Sequence, residues 1–178
     1  MKANVGAWLR AANPFQAARS LAEAQRAARM GAVVLVIQAL HTAIHAARLA
    51  LDPGQLARTM EPYMAVEGLD GAGLETGLAW VRSFTPFILG ASLLGVVLWL
   101  ILARVQWRRM TRTIPLILLA LAAFRLATLV EAGGVSGRVR LEMGLMGSVG
   151  LLVFVLCALL ILSACRGAFV LHKLKRTV

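Results

Sequence analysis

Four apolar runs constrain this chain more than anything else in it. They cover residues 30–51, 86–106, 114–130 and 143–165, and only the first and the ends of the others carry charge, Arg125 apart. A helix rises ~1.5 Å per residue, so about 20 residues cross the ~30 Å hydrocarbon layer of a bilayer. Inside that layer every backbone N–H and C=O must be satisfied within the chain, which makes helices the expected solution for runs of this length. At 60% hydrophobic residues and a mean hydropathy of +0.78, the 178-residue chain lies outside the usual composition of a soluble domain. The expected fold is an all-α integral membrane protein with four transmembrane helices in a bundle.

Charge orients the bundle. The chain has 19 Lys and Arg against 8 Asp and Glu, a net charge of +11. With crossings at about 30–51, 86–106, 114–132 and 143–166, one side collects Lys2, Arg10, Arg19, Arg26, Arg29, Arg104, Arg108, Arg109, Arg112, Arg166, Lys173, Lys175 and Arg176 against a single acid, Glu23. The other side holds Arg48, Arg58, Arg82, Arg138 and Arg140 against the remaining seven acids. Bases flanking membrane helices concentrate on the cytoplasmic side, so both termini are expected there. The bases read as a topology signal that also attracts anionic headgroups, and a nucleic-acid partner is not expected. The arginine- and alanine-rich composition associates the chain with a bacterial inner membrane.

Residues 1–29 form a basic amphipathic cytoplasmic segment without the apolar core and cleavage site of a secretory signal. Asn13-Pro14 resembles a helix start, and Ser20 followed by Glu23 fits a capping box, so a break near Ser20 is the alternative. Trp8, Leu9 and Phe15 beside arginines predict a helix lying at the interface. Residues 30–178 then make the membrane domain. Its outer loop, 52–85, is too polar for a crossing and too long for a plain loop. Asp52-Pro53 starts a short helix, glycines from Gly68 to Gly73 break it, and a second short helix is expected over 74–84. Thr85-Pro86 reads as the cap and first residue of the second crossing. Gly133-Gly134 reads as the stop of the third. Gly144, Gly147, Ser148 and Gly150 would permit close helix approach in the fourth, and the helix can continue past Arg166.

The candidate site lies on the first crossing. Gln38, His41, His45 and Arg48 fall within roughly 80° of one another on a helix turning ~100° per residue. Lipid penalises such a stripe, so it is expected to face other helices, water or a ligand. Arg125, deep in the third run, is costly for the same reason and matches His41 in depth, as Glu131 matches Arg48 at the outer edge. These six residues are the candidates for a polar core or ligand site. His41 and His45, at i and i+4, are also the candidates for holding a metal, but no Asp or Glu lies near mid-membrane, Cys157 is the only deep sulfur that could join them, and no metal is expected. No cofactor is expected either. The alternative is haem b, for which these two histidines on one helix cannot supply both axial positions. Cys157 and Cys165, eight apart on one helix, read as small buried residues rather than a redox pair.

No nucleophile elbow, phosphate loop, HExxH or thiol pair is present in the sequence. The reading is a non-enzymatic accessory or regulatory subunit acting by association within the membrane, with a membrane-protein partner or further copies of itself. A small oligomeric transporter for an anion or protons, using Arg125 and the stripe, is the first alternative. A haem- or quinone-associated protein is the second.

Overall fold

The computed structural model describes residues 5–16, 18, 20–66, 68, 71–135 and 144–176; side chains at 63, 65, 66, 125, 128–135, 144–151 and 175–176 are not among those described. Among the described residues there are six α-helices and no strand. They are α1 (Val5–Ala12), α2 (Leu21–Leu51), α3 (Gln55–Val66), α4 (Gly71–Arg109), α5 (Thr113–Val135) and α6 (Gly144–Arg176). Three are long and apolar enough to cross a membrane: α2, α4 and, within α6, Leu152–Leu174. In α5 the described apolar stretch is Thr113–Phe124.

Local chemistry sets the helix ends. The first long helix starts at the capping box: Ser20 Oγ accepts from the backbone N–H of Glu23 at 3.2 Å, and Glu23 lies in the first turn. Asn13-Pro14 is a turn instead of a helix start, because Asn13 Oδ1 accepts from the N–H of Phe15, two residues on, at 2.9 Å. The sequence ahead of that turn forms its own short helix, α1. Asp52, Pro53 and Gly54 lead into α3 as expected. Asp52 also pairs with Arg58 one turn into that helix. Gly68, at φ +83°, and Gly71, at φ +48°, occupy the left-handed region between α3 and α4, where glycine carries no Cβ penalty.

The expected helix over 74–84 does not end before Pro86. It runs unbroken into the second crossing as the 39-residue α4, about 58 Å long, with Pro86 in its interior. Proline removes one i→i−4 bond and crowds the preceding turn. Thr85 Oγ1 donates to Val81 O at 3.1 Å and Ser83 Oγ to Trp80 O at 2.7 Å, so the hydroxyls ahead of the proline turn back into their own helix, one and two residues short of Arg82 O, the carbonyl from which proline withholds a donor. Helix α4 ends with Met110 at φ +48°, its N–H bonded to Gln106 O at 2.9 Å, a left-handed cap built on a residue other than glycine. Three residues later α5 begins, with Pro115 buried in its first turn, where a missing N–H costs nothing. Gly133-Gly134 falls inside the last turn of α5. Beyond Arg166, α6 continues without a break to Arg176.

The chain divides into two compact units. One comprises Met1–Val36 and Ile101–Val178, the other Ile37–Leu100. In the first, small residues let helices approach closely. Ala24, Ala28, Ala164 and Ala168 are almost wholly buried, and α6 packs against both α5 and α1. Gly31 marks a meeting point: a Cβ there would touch Ala164 and Pro115 at 3.4 Å and Gln106 at 3.5 Å. The closest approach is at Gly167. A Cβ on it would lie 2.5 Å from Ala28 N and 2.8 Å from Ala24 O. The glycines expected to serve this role, Gly144 to Gly150, lie among the residues whose side-chain surroundings are not described. In the second unit the inward residues of α2 include Ala39 and Ala46, and Thr42 Cγ2 faces the open backbone at Gly95.

Candidate functional site

The polar stripe of α2 falls in the second unit. Gln38 is half-buried, whereas His41, His45 and Arg48 are exposed. The two imidazoles meet edge to face, with centroids 4.6 Å apart and planes 70° apart, as their i, i+4 spacing requires. Thr42 Oγ1 donates to Gln38 O at 2.8 Å, so the hydroxyl between the histidines turns back into its own helix. Arg48 has no hydrogen-bond or ion-pair partner among the described residues. No group of three His, Cys, Asp or Glu converges among the described residues, so the histidine pair gains no third ligand there. Of the other two candidates, Arg125 sits on α5 and Glu131 near its end, and both side chains lie outside those described.

The first unit holds a second polar assembly that the sequence reading did not pick out. Gln106, fully buried, donates from Nε2 to Ala28 O at 3.0 Å and accepts at Oε1 from Thr111 Oγ1 at 3.0 Å. One side chain thereby ties α4 to α2 and to the link before α5. Beside it the Trp8 and Trp107 rings stack at 6.1 Å and 12°, and the Arg29 guanidinium lies 5.1 Å from the Trp107 centroid. Arg29 Nε is buried without a hydrogen-bond partner among the described residues, so the ring face is its principal counterpart. The end of α1 is fixed to α6 by two contacts to backbone carbonyls. Ser163 Oγ donates to Ala11 O, and Arg166 Nη1 donates to Pro14 O at 2.6 Å. These contacts frame a cavity of about 310 Å³ lined by Arg10, Asn13, Gln16, Glu23, Ser163 and Arg166, with small residues between them.

The sequence did hold one hint of this assembly. Gln106 is the single uncharged polar side chain at the C-terminal end of the second apolar run, next to Trp107. Nothing local says that it reaches Ala28, 78 residues away. Among the described residues the fold is all-helical, with three helices long and apolar enough to cross a membrane, which fits a membrane protein. No family model, no curated protein and no solved structure matches the chain.

Proposed function

We propose that this chain is a multi-pass protein of a bacterial inner membrane that acts without catalysis, as an accessory or regulatory subunit bound to another membrane protein. Its four crossings are α2, α4, α5 and α6, gathered as a bundle, with both termini in the cytoplasm and α1 lying at the cytoplasmic interface. The split of bases between the two sides supports that orientation. One observation carries the functional reading: His45 and Arg48 are exposed on the part of α2 that follows Met30, where the helix is mostly apolar. Lipid penalises such groups by about 2.5 kcal/mol or more for an arginine at mid-membrane, less near the edge. A polar face of this kind calls for a polar counterpart. Identical copies side by side would bring Arg48 towards Arg48, which favours a different, acid-bearing helix as the partner.

A photoreactive residue at Leu40 or Ile44, both exposed beside the stripe, tests this in native membranes. The expected product is a crosslink to a distinct membrane protein, lost on replacing His45 and Arg48. Crosslinks only between copies of this chain would transfer the reading to the oligomeric transporter. Lipid adducts alone would refute association through this face. Topology is tested separately by cysteine accessibility, with Cys157 and Cys165 replaced by serine. An introduced Ala3→Cys is expected to be shielded from periplasmic reagents, and labelling from that side would reverse the orientation.

A further inference from the structure

We infer that the groove between α5 and α6 that opens at Arg112 seats an anionic phospholipid, with its phosphate at the guanidinium and one acyl chain along the apolar wall. Thr113, Leu116, Ile117 and Ala120 line it from α5 at i, i+3, i+4 and i+7, which is one face of the helix, and Phe169 lines it from α6. The Arg112 guanidinium lies over that ring, 5.9 Å from its centroid. Beyond the ring it has no hydrogen-bond or ion-pair partner among the described residues. A ring face satisfies no part of the N–H fork, which stays available to phosphate oxygens. Neither lining helix supplies an acid near it. The sequence has no Asp or Glu from Thr76 to Val130 or from Met143 to Val178, and Glu131 stands near the far end of α5. Arg104, Arg108 and Arg109 precede the groove, all exposed, and Lys173 follows Phe169 by one turn on the same face of α6. The first turn of α5 adds the positive end of a helix dipole. The counter-charge therefore comes from outside these segments.

The apolar wall selects a lipid over a soluble anion. Leu116, Ile117 and Phe169 are 42%, 55% and 47% exposed beside a cation, and a small hydrated anion covers none of that surface. From Thr113 to Ala120 the wall runs ~10 Å along the helix axis, about two thirds of the ~15 Å hydrocarbon depth of one leaflet. At about 340 Å³ the groove is at the small end of ligand sites, enough for a phosphate and the first part of one chain. A zwitterionic headgroup brings its ammonium towards a cluster of guanidiniums, and a headgroup with net negative charge brings none. The site gives the expected attraction of the basic side for anionic headgroups a definite seat. That α5 crosses the bilayer rests on the reading proposed above; which leaflet the groove faces does not enter the argument.

For the test, the full chain is assembled in nanodiscs of equal parts phosphatidylcholine and phosphatidylglycerol and released into mild detergent. The lipid it retains is identified by native mass spectrometry. Phosphatidylglycerol is expected to be retained about tenfold over phosphatidylcholine, and Arg112→Gln to lower that retention by about the same factor. Ala120→Phe fills the apolar wall and alters no charge. It is expected to lower retention too, as a chain in the groove requires and a bound soluble anion does not. Both positions are exposed, and both variants are expected to melt with the unsubstituted chain. The control is Arg82→Gln, which removes the same charge from an exposed arginine in the other unit, outside the groove, and is expected to leave retention unchanged. Equal retention of the two lipids, wild-type retention by Arg112→Gln or Ala120→Phe, or an equal loss in Arg82→Gln would overturn the site. So would displacement of the lipid by the soluble headgroup glycerophosphoglycerol. A spin label on Leu121→Cys, exposed on α5, with Cys157 and Cys165 replaced by serine, reports depth separately. A label open to aqueous relaxation agents refutes α5 as a crossing; a lipid-buried label without phosphatidylglycerol preference refutes only this site.

Discussion

Replacing Gly167 by alanine adds one methyl group where the structure leaves no room for it. The new Cβ would stand 2.5 Å from Ala28 N, 2.6 Å from Ala27 Cβ and 2.8 Å from Ala24 O. Favourable contact needs about 3.5 Å or more, so α6 and α2 must part by roughly 1 Å at this point. Two of the three obstructing atoms belong to backbone, and no rotamer change moves them aside. A gap of that size forfeits a quarter to a half of each neighbouring contact, among them those of the buried Ala24, Ala28, Ala164 and Ala168. Overpacking of this kind costs about 1–3 kcal/mol, against which alanine's helix preference returns up to about 1 kcal/mol. The net expectation is a loss of about 1–2 kcal/mol, or roughly 2–8 °C in melting temperature for a chain of this size. Gly90→Ala is the control, because nothing lies within 4 Å of its added Cβ. In a Trp80→Phe, Trp99→Phe background, tryptophan emission reports the Trp8–Trp107 pair, which sits in the same unit as Gly167. Thermal unfolding in mild detergent should separate the two variants clearly. A second substitution, Ala27→Gly, removes only the side-chain neighbour and should restore little. Equal melting of Gly167→Ala, Gly90→Ala and the unsubstituted background would refute the close approach of α2 and α6.

Gln106→Ala should cost about 1–3 kcal/mol, because it opens a void and strands the Thr111 hydroxyl; Gln106→Leu, which fills the space, should cost less in the same melting assay. Met110→Gly should stabilise the chain by up to about 1 kcal/mol, since φ +48° strains a residue with a Cβ; a lower melting temperature would contradict the left-handed cap. Arg29→Met should lose the attraction to the Trp107 face, about 1–2 kcal/mol, and blue-shift tryptophan emission; unchanged emission would place the guanidinium elsewhere.

Much of the fold was legible because it depends on local chemistry. Apolar length identifies the long helices; the Ser20 and Glu23 pair marks the start of α2, and Gly68 marks the break after α3. Thr85-Pro86 misled for a physical reason. The same dipeptide serves as a helix start or as a tolerated interior step of a long helix, where the single lost backbone bond is outweighed by the turns on either side. Asn13-Pro14 misled because an Asx-turn and an N-cap use the same side-chain oxygen. Neither choice can be made without knowing what packs against the segment.

The two polar regions differ in legibility for the same reason. Gln38, His41, His45 and Arg48 are neighbours by helical period alone, so the stripe and its histidine contact followed from spacing. The cavity draws Arg10, Glu23 and Arg166 from three segments, two of them joined by bonds spanning 152 residues. No periodicity encodes that convergence. Each arginine, read alone, is one more base on the side the sequence reading expects to be cytoplasmic, and the topology rule accounts for it without a site. Packing is what distinguishes Arg166. The absence of a side chain at Gly167 lets α6 press against Ala24, Ala27 and Ala28, one turn beyond the cap that holds Glu23. The residue that makes the helices touch therefore also bears on the spacing of Glu23 and Arg166 across the cavity. Gly167→Ala should consequently change the width of the cavity as well as lower stability, although it alters no polar atom.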